Sequence, residues 1–199
     1  GSDRPFIVTS GTGLANTVPG QPALEDNPII NSSTFPRAAS EEAAASVAAR
    51  DVNVSVVRLP QVHDQFKQGL VTHAIALARE KGVAAYVGDG LNRWPAAHVL
   101  DTARLYRLAL EKQDPGANYH AVAEEGVPLR EMAEVIGRGL KVPAVSLSPE
   151  KATAHFGWLA MFAGRDVPAS SAQTQKRLGW HPTGPGMIAD LERMNYFGS

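Results

Sequence analysis

The pattern of apolar and polar positions along the chain predicts strands that alternate with helices. Short continuous apolar or β-branched runs are typical of strands buried on both faces of a parallel sheet, and they lie at residues 6–8, 53–59, 84–87, 118–122 and 144–147. Helical spacing of apolar residues, or an Ala-rich composition, predicts helices over 37–50, 65–81, 99–112, 128–140, from 149 onward, and around 171–178 and 185–195. A strand, a helix and a second parallel strand form a βαβ crossover, so we expect an α/β fold.

A long loop separates the first strand from the first helix. Residues 13–36 hold four of the fourteen prolines, together with Asn, Ser and Gly. A structureless loop of this length is uncommon inside a compact domain and is often functional.

Composition narrows the class of protein. The chain has 199 residues, a net charge of -1 and 44% hydrophobic residues, which is typical of a globular protein of one or two small domains. The near-neutral charge argues against a nucleic-acid partner, and no apolar run approaches the roughly 18 residues that a membrane span needs. With no cysteine and six scattered histidines, we expect no disulfide and no metal site. A cytoplasmic location is the default expectation.

Hydroxyl and amide side chains follow the first two strands. Ligands in open α/β sheets bind at the carboxyl ends of the strands, where Thr9 and Ser10 end the first run and residues 61–63 follow the second. The alternative for Thr9 and Ser10 is that they only begin a turn. For 61–63 the alternative is an ordinary strand-to-helix loop.

Four stretches carry a family resemblance, in the right order and over nearly the whole chain. They are IVTSG at 7–11, VVRLP at 56–60, YVGDG through HVLD at 86–101, and RLGWHP at 177–182. The chain resembles the C-terminal two-thirds of an extended or atypical short-chain dehydrogenase/reductase, of the NAD-dependent epimerase/dehydratase type. This implies the second half of a Rossmann-type parallel sheet plus a small α/β substrate-binding domain. It also implies NAD or NADP as cofactor and a small-molecule substrate. We expect a partial nucleotide-binding portion at 1–63 and the remainder, with the substrate-binding subdomain, at 64–199.

The resemblance also implies roles for individual residues. Ser10 and Arg37 are the catalytic candidates. The cofactor-binding candidates are Thr9, Gly11, Leu59, Pro60, Gln61, Val62 and His63, and the substrate-binding candidates are Arg93, Trp94 and His98. Interdomain packing remains open for Trp94, and a structural role remains open for His98. His155, Trp158 and Phe162 recur at helical spacing, which favours core packing.

Two departures from the family pattern shape the functional hypotheses. The glycine-rich turn that holds the pyrophosphate is absent, since Gly11, Gly13 and Gly20 have the wrong spacing. The catalytic Tyr-x-x-x-Lys is also absent, and its region reads STFPRAASE at 33–41. Arginine cannot replace tyrosine as an acid or base, although it can stabilise an oxyanion. The leading hypothesis is an NAD(P)-dependent oxidoreductase or epimerase-like protein, and the alternative is a non-catalytic NAD(P)-binding or sensor protein.

A serine hydrolase is disfavoured, because Val8 stands where the G-x-S-x-G pattern requires glycine. Without the first half of the sheet, the opening strand would have an unpaired edge, which is a template for association. We therefore expect the chain to self-associate or to need a missing N-terminal half, and to bind dinucleotide poorly by itself.

Overall fold

The computed structural model describes residues 4–15 and 17–197. Within these ranges the strands are β1 (Phe6–Gly11), β2 (Val54–Leu59), β3 (Gln61–His63), β4 (Ala84–Val87), β5 (Arg93–His98), β6 (Asn118–His120), β7 (Glu124–Pro128) and β8 (Ala144–Leu147). The helices are α1 (Ala39–Ala48), α2 (Val71–Lys81), α3 (Val99–Lys112), α4 (Leu129–Leu140), α5 (Pro149–Phe156), α6 (Ala160–Ala163), α7 (Ala172–Leu178) and α8 (Met187–Arg193). None of these helices has the length and apolar character that a membrane crossing requires.

Three small sheets organise the strands. The first has the order β1-β2-β6 with all neighbours parallel, and the third pairs β4 with β8, also in parallel. The second has the order β3-β5-β7, in which β7 runs antiparallel to β5. The predicted α/β class with parallel strands is confirmed, and β1, α1 and β2 form the expected strand-helix-strand unit. The division after residue 63 stays a prediction.

Strand β1 differs from its predicted burial on both faces. Five of the six β2 residues are buried, but in β1 only Ser10 is, and Phe6 is 58% exposed. The reason is topological, because among the described residues β1 is the last strand of its sheet and pairs with β2 alone. One edge of β1 is therefore open.

Strands β3, β5 and β7 were not predicted, and α2 begins later than predicted. Pro95 breaks the apolar pattern of β5, and it sits where the pairing with β7 shifts register, a position at which a missing N–H is tolerated. Helix α2 begins at Val71 rather than residue 65. The carboxylate of Asp64 accepts from the backbone N–H groups of Phe66 and Lys67, each at 2.7 Å, so these residues form a turn instead.

A buried polar network surrounds Arg58 on β2, a residue only 2% exposed. Its Nη2 lies 2.9 Å from Oε2 of Glu41 on α1, and its Nε lies 3.1 Å from both oxygens of that carboxylate. Its Nη1 donates to the carbonyl oxygens of Glu25 at 3.2 Å and Asn27 at 3.3 Å. One guanidinium thus joins the long loop, α1 and β2.

The network continues to the C-terminal part of the chain through His120 on β6. Nε2 of His120 lies 3.4 Å from Nη1 of Arg58, and Nδ1 lies 2.9 Å from the carbonyl oxygen of Ser170. A guanidinium only donates and a carbonyl only accepts, so the imidazole is neutral with its proton on Nδ1. Burial lowers the pKa of His120; the charge of Arg58 acts in the same direction, and that of Glu25 acts against it. Thr174 Oγ1 accepts from His120 N at 2.8 Å and donates to Glu25 Oε1 at 2.7 Å.

Loss of one partner of the buried ion pair should destabilise the protein strongly. Glu41→Met leaves the Arg58 guanidinium buried without its counter-charge, and we expect the free energy of unfolding in urea to fall by about 3–5 kcal/mol. The double variant Glu41→Met/Arg58→Met should recover much of this loss. As a control, Glu111→Gln breaks an exposed pair with Arg107 and should change stability by at most about 0.5 kcal/mol. A Glu41→Met protein as stable as wild type would contradict the role of the pair.

The lowered pKa of His120 predicts a loss of stability in mild acid. The unfolded chain takes up a proton at this residue near pH 6.5, while the folded chain does so only at lower pH. The unfolded state therefore binds more protons in that window, and the free energy of unfolding falls as the pH drops below about 6.5. His120→Asn keeps a donor for Ser170 but removes the titration. The free energy of unfolding of both proteins, measured in urea between about pH 5 and 8, should depend more steeply on pH for wild type. Parallel curves of this free energy against pH would contradict the prediction.

Candidate functional site

A cleft of about 480 Å³ opens at the carboxyl ends of β1 and β2. The register pairs Gly11 at the end of β1 with Leu59 at the end of β2, so both strand ends meet at one edge. The opposite wall comes from the beginning of α2, the first half of β5 and the segment around 162–167. The lining residues include Ser10, Gly11, Leu14, Phe35, Arg37, Leu59, Pro60, Gln61, Leu70, His73, Trp94, Phe162 and Arg165.

Two buried hydroxyl residues of the described chain line this cleft, and of these Thr12 donates to the carbonyl oxygen of Leu59 while Ser10 does not have such a contact. Ser10 is 3% exposed, and its Oγ has no hydrogen-bond partner among the described residues. A buried hydroxyl without a partner costs on the order of 1–3 kcal/mol, so such atoms in native structures call for a water or a ligand. Since Ser10 also lines the cleft, it offers a hydrogen bond to whatever binds there.

Thr9 lies on the other side of β1 and outside the cleft. Successive side chains of a strand point to opposite faces, and Thr9 Oγ1 is 2.7 Å from the hydroxyl of Tyr106 on α3. Burial raises the pKa of Tyr106, and the hydrogen bond to Thr9 acts against this rise. The structure thus separates Thr9 from Ser10, although the sequence places them together.

Arg37 reaches the cleft from the short 3-10 turn before α1. One Nη donates to the carbonyl oxygen of Thr9 and the other to Oγ of Ser40, both at 2.7 Å. Neither acceptor is a carboxylate, so the positive charge is positioned but not neutralised by these contacts.

The link between β2 and β3 forms the floor of the cleft. Leu59, Pro60 and Gln61 line it, whereas Val62 and His63 lie beyond it. Gln61 Oε1 accepts from Leu70 N at 2.8 Å and thereby holds the chain just before α2. His63 is fully buried, with Nδ1 2.7 Å from Oδ2 of Asp190 on α8, which anchors the C-terminal part of the chain.

The three substrate-binding candidates on β5 are divided by the structure. Trp94 lines the cleft and is 3% exposed. Arg93 instead binds Asp166, with Nε–Oδ1 at 3.0 Å and Nη2–Oδ2 at 2.8 Å, and this guanidinium holds the pKa of the Asp166 carboxyl below its usual range. His98 precedes α3, where its Nδ1 accepts from Leu100 N at 3.2 Å, and it does not line the cleft.

Several cleft residues were not found from the sequence. His73, Phe35 and Arg165 carried no local signal, because their positions depend on where α2 begins and on contacts between distant segments. Phe162 was expected in the core but lines the cleft, and Trp158 is 57% exposed rather than packed inside. No aspartate or glutamate is among the described lining residues. Within the same part of the chain, no group of three or more His, Cys, Asp or Glu side chains could hold a metal ion.

Comparison with known proteins identifies a family and individual proteins to which this chain is similar. The model of the NAD dependent epimerase/dehydratase family matches residues 7–123. An uncharacterized protein of Schizosaccharomyces pombe is 43% identical over 198 residues, which cover 99% of this chain and 66% of the relative. The chain therefore spans about two thirds of the length of that relative.

Solved structures with the same fold are more distant in sequence. A dTDP-glucose 4,6-dehydratase from Streptomyces venezuelae, solved with NAD and TYD bound, has a TM-score of 0.71 at 16% identity and covers 95% of this chain and 58% of its own. A human epimerase family protein solved with NADPH has a TM-score of 0.71 at 20% identity and covers 98% of this chain and 66% of its own. At these identities the likeness concerns the fold.

Proposed function

We propose, from the premise that this chain belongs to the NAD-dependent epimerase/dehydratase family, that it supplies the substrate side of an NAD(P)-dependent oxidoreductase or epimerase-like site. One observation carries the proposal. Ser10 places a buried, unpartnered hydroxyl in a cleft at the carboxyl ends of two parallel strands, which is where α/β sheets bind ligands. The similar dehydratase and epimerase family structures hold NAD or NADPH.

The cleft fits the nicotinamide end of such a cofactor. Around Gly13, a Cβ would meet no atom within 4 Å, so backbone here is open to a planar ligand. Gly11, Leu59 and Pro60 lie along the same opening. The glycine-rich strand-turn-helix that holds a pyrophosphate is not among the described residues, and we assign that part to a further segment of the complete protein. When bound, the cofactor supplies or accepts the hydride.

Different residues of the cleft bind the substrate carbonyl, stabilise its developing charge and transfer the proton. Ser10 Oγ donates a hydrogen bond to the substrate carbonyl oxygen, and Arg37 stabilises the negative charge that develops there. Arginine does not release its proton, so another group must transfer one. Among the described lining side chains, histidine is the only residue type that commonly exchanges a proton between about pH 5 and 8. We therefore assign proton transfer to His73.

A non-catalytic, cofactor-binding sensor is the second candidate. It is favoured by one observation, that no tyrosine is among the described lining residues of the cleft. Tyr106 is engaged with Thr9 on the other face of β1. Turnover separates the two candidates.

Replacement of His73 should reduce turnover without loss of cofactor binding. The measured quantity is the rate at which the protein oxidises NADH or NADPH in the presence of a panel of carbonyl compounds. The protein is purified in the full form that its host produces. We expect His73→Gln to lower kcat by about 10²–10⁴-fold, the range of general acid-base catalysis, and Ser10→Ala to lower it as well. His181→Gln, at an exposed histidine outside the cleft, is the matched control and should keep full activity.

Two results would contradict the catalytic assignment. Cofactor binding with no turnover of any carbonyl compound would favour the sensor. Absence of both binding and turnover would contradict both candidates.

The open edge of β1 should mediate association of the 199-residue chain. Phe6 N donates to Asn53 O of the β2 side at 2.8 Å, so strand alternation directs the N–H of Ile7 to the open edge. We expect light scattering to give a mass above the 21.2 kDa monomer, through pairing with a second copy. Ile7→Pro removes an edge donor without removing a bond to β2 and should shift the protein toward the monomer. A wild-type monomer at all concentrations would contradict this pairing.

A further inference from the structure

The described residues that line the cleft include positively charged side chains and no negatively charged ones. Arg37 and Arg165 both line it. Within the described part of the chain, neither arginine forms an ion pair. A concave surface that carries charge of one sign concentrates ligands of the other sign, so the cleft favours anions.

The backbone around Arg165 is fixed while its guanidinium has no protein partner among the described residues. Asn92 Nδ2 donates to the carbonyl oxygens of Ala163 at 3.0 Å and Arg165 at 3.1 Å. The neighbouring carboxylate, Asp166, accepts three hydrogen bonds from Arg93, two of them from its guanidinium, and is therefore not available to neutralise Arg165. The backbone of Arg165 is therefore held next to the cleft, while its exposed side chain keeps all of its donors available for a ligand.

Aromatic rings form a second feature of the same cleft. Phe35 and Phe162 meet edge to face with ring centroids 6.3 Å apart, and buried Trp94 adds a third lining ring. Trp158 is not among the described lining residues, but its ring contacts two that are, with centroid distances of 6.4 Å to Phe162 and 5.0 Å to His73. Such rings bind planar unsaturated groups by stacked or edge-to-face contact.

We infer that the substrate of the cleft is a planar, unsaturated carbonyl compound that carries a carboxylate, with Arg165 as the residue that binds the carboxylate. A guanidinium pairs with one carboxylate through two parallel hydrogen bonds, and Arg165 has its donors available for this. Arg37 already donates hydrogen bonds to Thr9 and Ser40. We therefore assign it to the carbonyl oxygen of the substrate rather than to the carboxylate. The substrate assignment rests on the proposed function; the binding preference itself does not.

The test compares two ligands of the same shape and different charge. Calorimetric titration of the protein with trans-cinnamate and with trans-cinnamamide, in the absence of any cofactor, measures both affinities. We expect cinnamate to bind at least about tenfold more tightly, which corresponds to about 1.4 kcal/mol. Arg165→Gln should remove this preference, and Phe162→Ala should lower the affinity for both ligands.

Arg107→Gln is the matched control, since Arg107 lies on α3 and outside the cleft; this variant should keep the preference. Equal affinity for the acid and the amide in wild type would overturn the inference, as would an unchanged preference in Arg165→Gln. Inorganic pyrophosphate that binds more tightly than cinnamate, and only when Arg165 is present, would assign the arginine to a cofactor phosphate and would also overturn it. Because no cofactor is added, failure here is distinct from failure of the turnover experiment.

Discussion

The buried pair of Arg58 and Glu41 is the constraint on which the arrangement of the chain around β2 depends. A buried charge must keep its partner, so α1 cannot move relative to β2 without exposing or orphaning one of the two. The same guanidinium holds the carbonyl oxygens of Glu25 and Asn27, which fixes the middle of the long loop. Phe35 lies near the end of that loop and Arg37 directly after it, both before α1, so their positions at the cleft are set by a contact buried elsewhere.

Alternation along β1 explains why two adjacent hydroxyl residues have different environments. Ser10 faces the cleft with its Oγ unpartnered among the described residues, whereas Thr9 faces α3 and bonds Tyr106. The backbone of Thr9 still contributes, because its carbonyl oxygen accepts from Arg37. One residue thus positions the arginine and the next offers the hydroxyl, both from the final part of a single strand.

Local pattern was sufficient for some parts of the structure and not for others. Continuous apolar runs predicted β1, β2 and β4, and the rule for strand ends placed Ser10 and Gln61 at the cleft, because these features depend on neighbouring residues. The sequence predicts that Arg93 binds substrate and that His63 binds cofactor. In the structure each contacts a carboxylate far away in the chain, Asp166 for Arg93 and Asp190 for His63. His73 and Arg165 were missed for the same reason, since the contacts that bring them to the cleft join distant segments. The functional roles of the cleft residues remain predictions.

No tyrosine of the sequence is followed by lysine four residues later, and this matters for the proposed chemistry. Two residues at the spacing Tyr-x-x-x-Lys lie on the same face when they are part of one helix. Arg37 brings only charge, because a guanidinium keeps its proton, so the proton must come from a second element. His73 lies on α2, which follows β3 of the second sheet, while Arg37 precedes α1 against the first sheet. The chain passes from the first sheet to the second through the short link Leu59-Pro60-Gln61, where proline restricts the backbone and Gln61 accepts a hydrogen bond from Leu70 N at 2.8 Å. In the proposed site, charge and proton thus come from two elements that this link connects, rather than from a single helix.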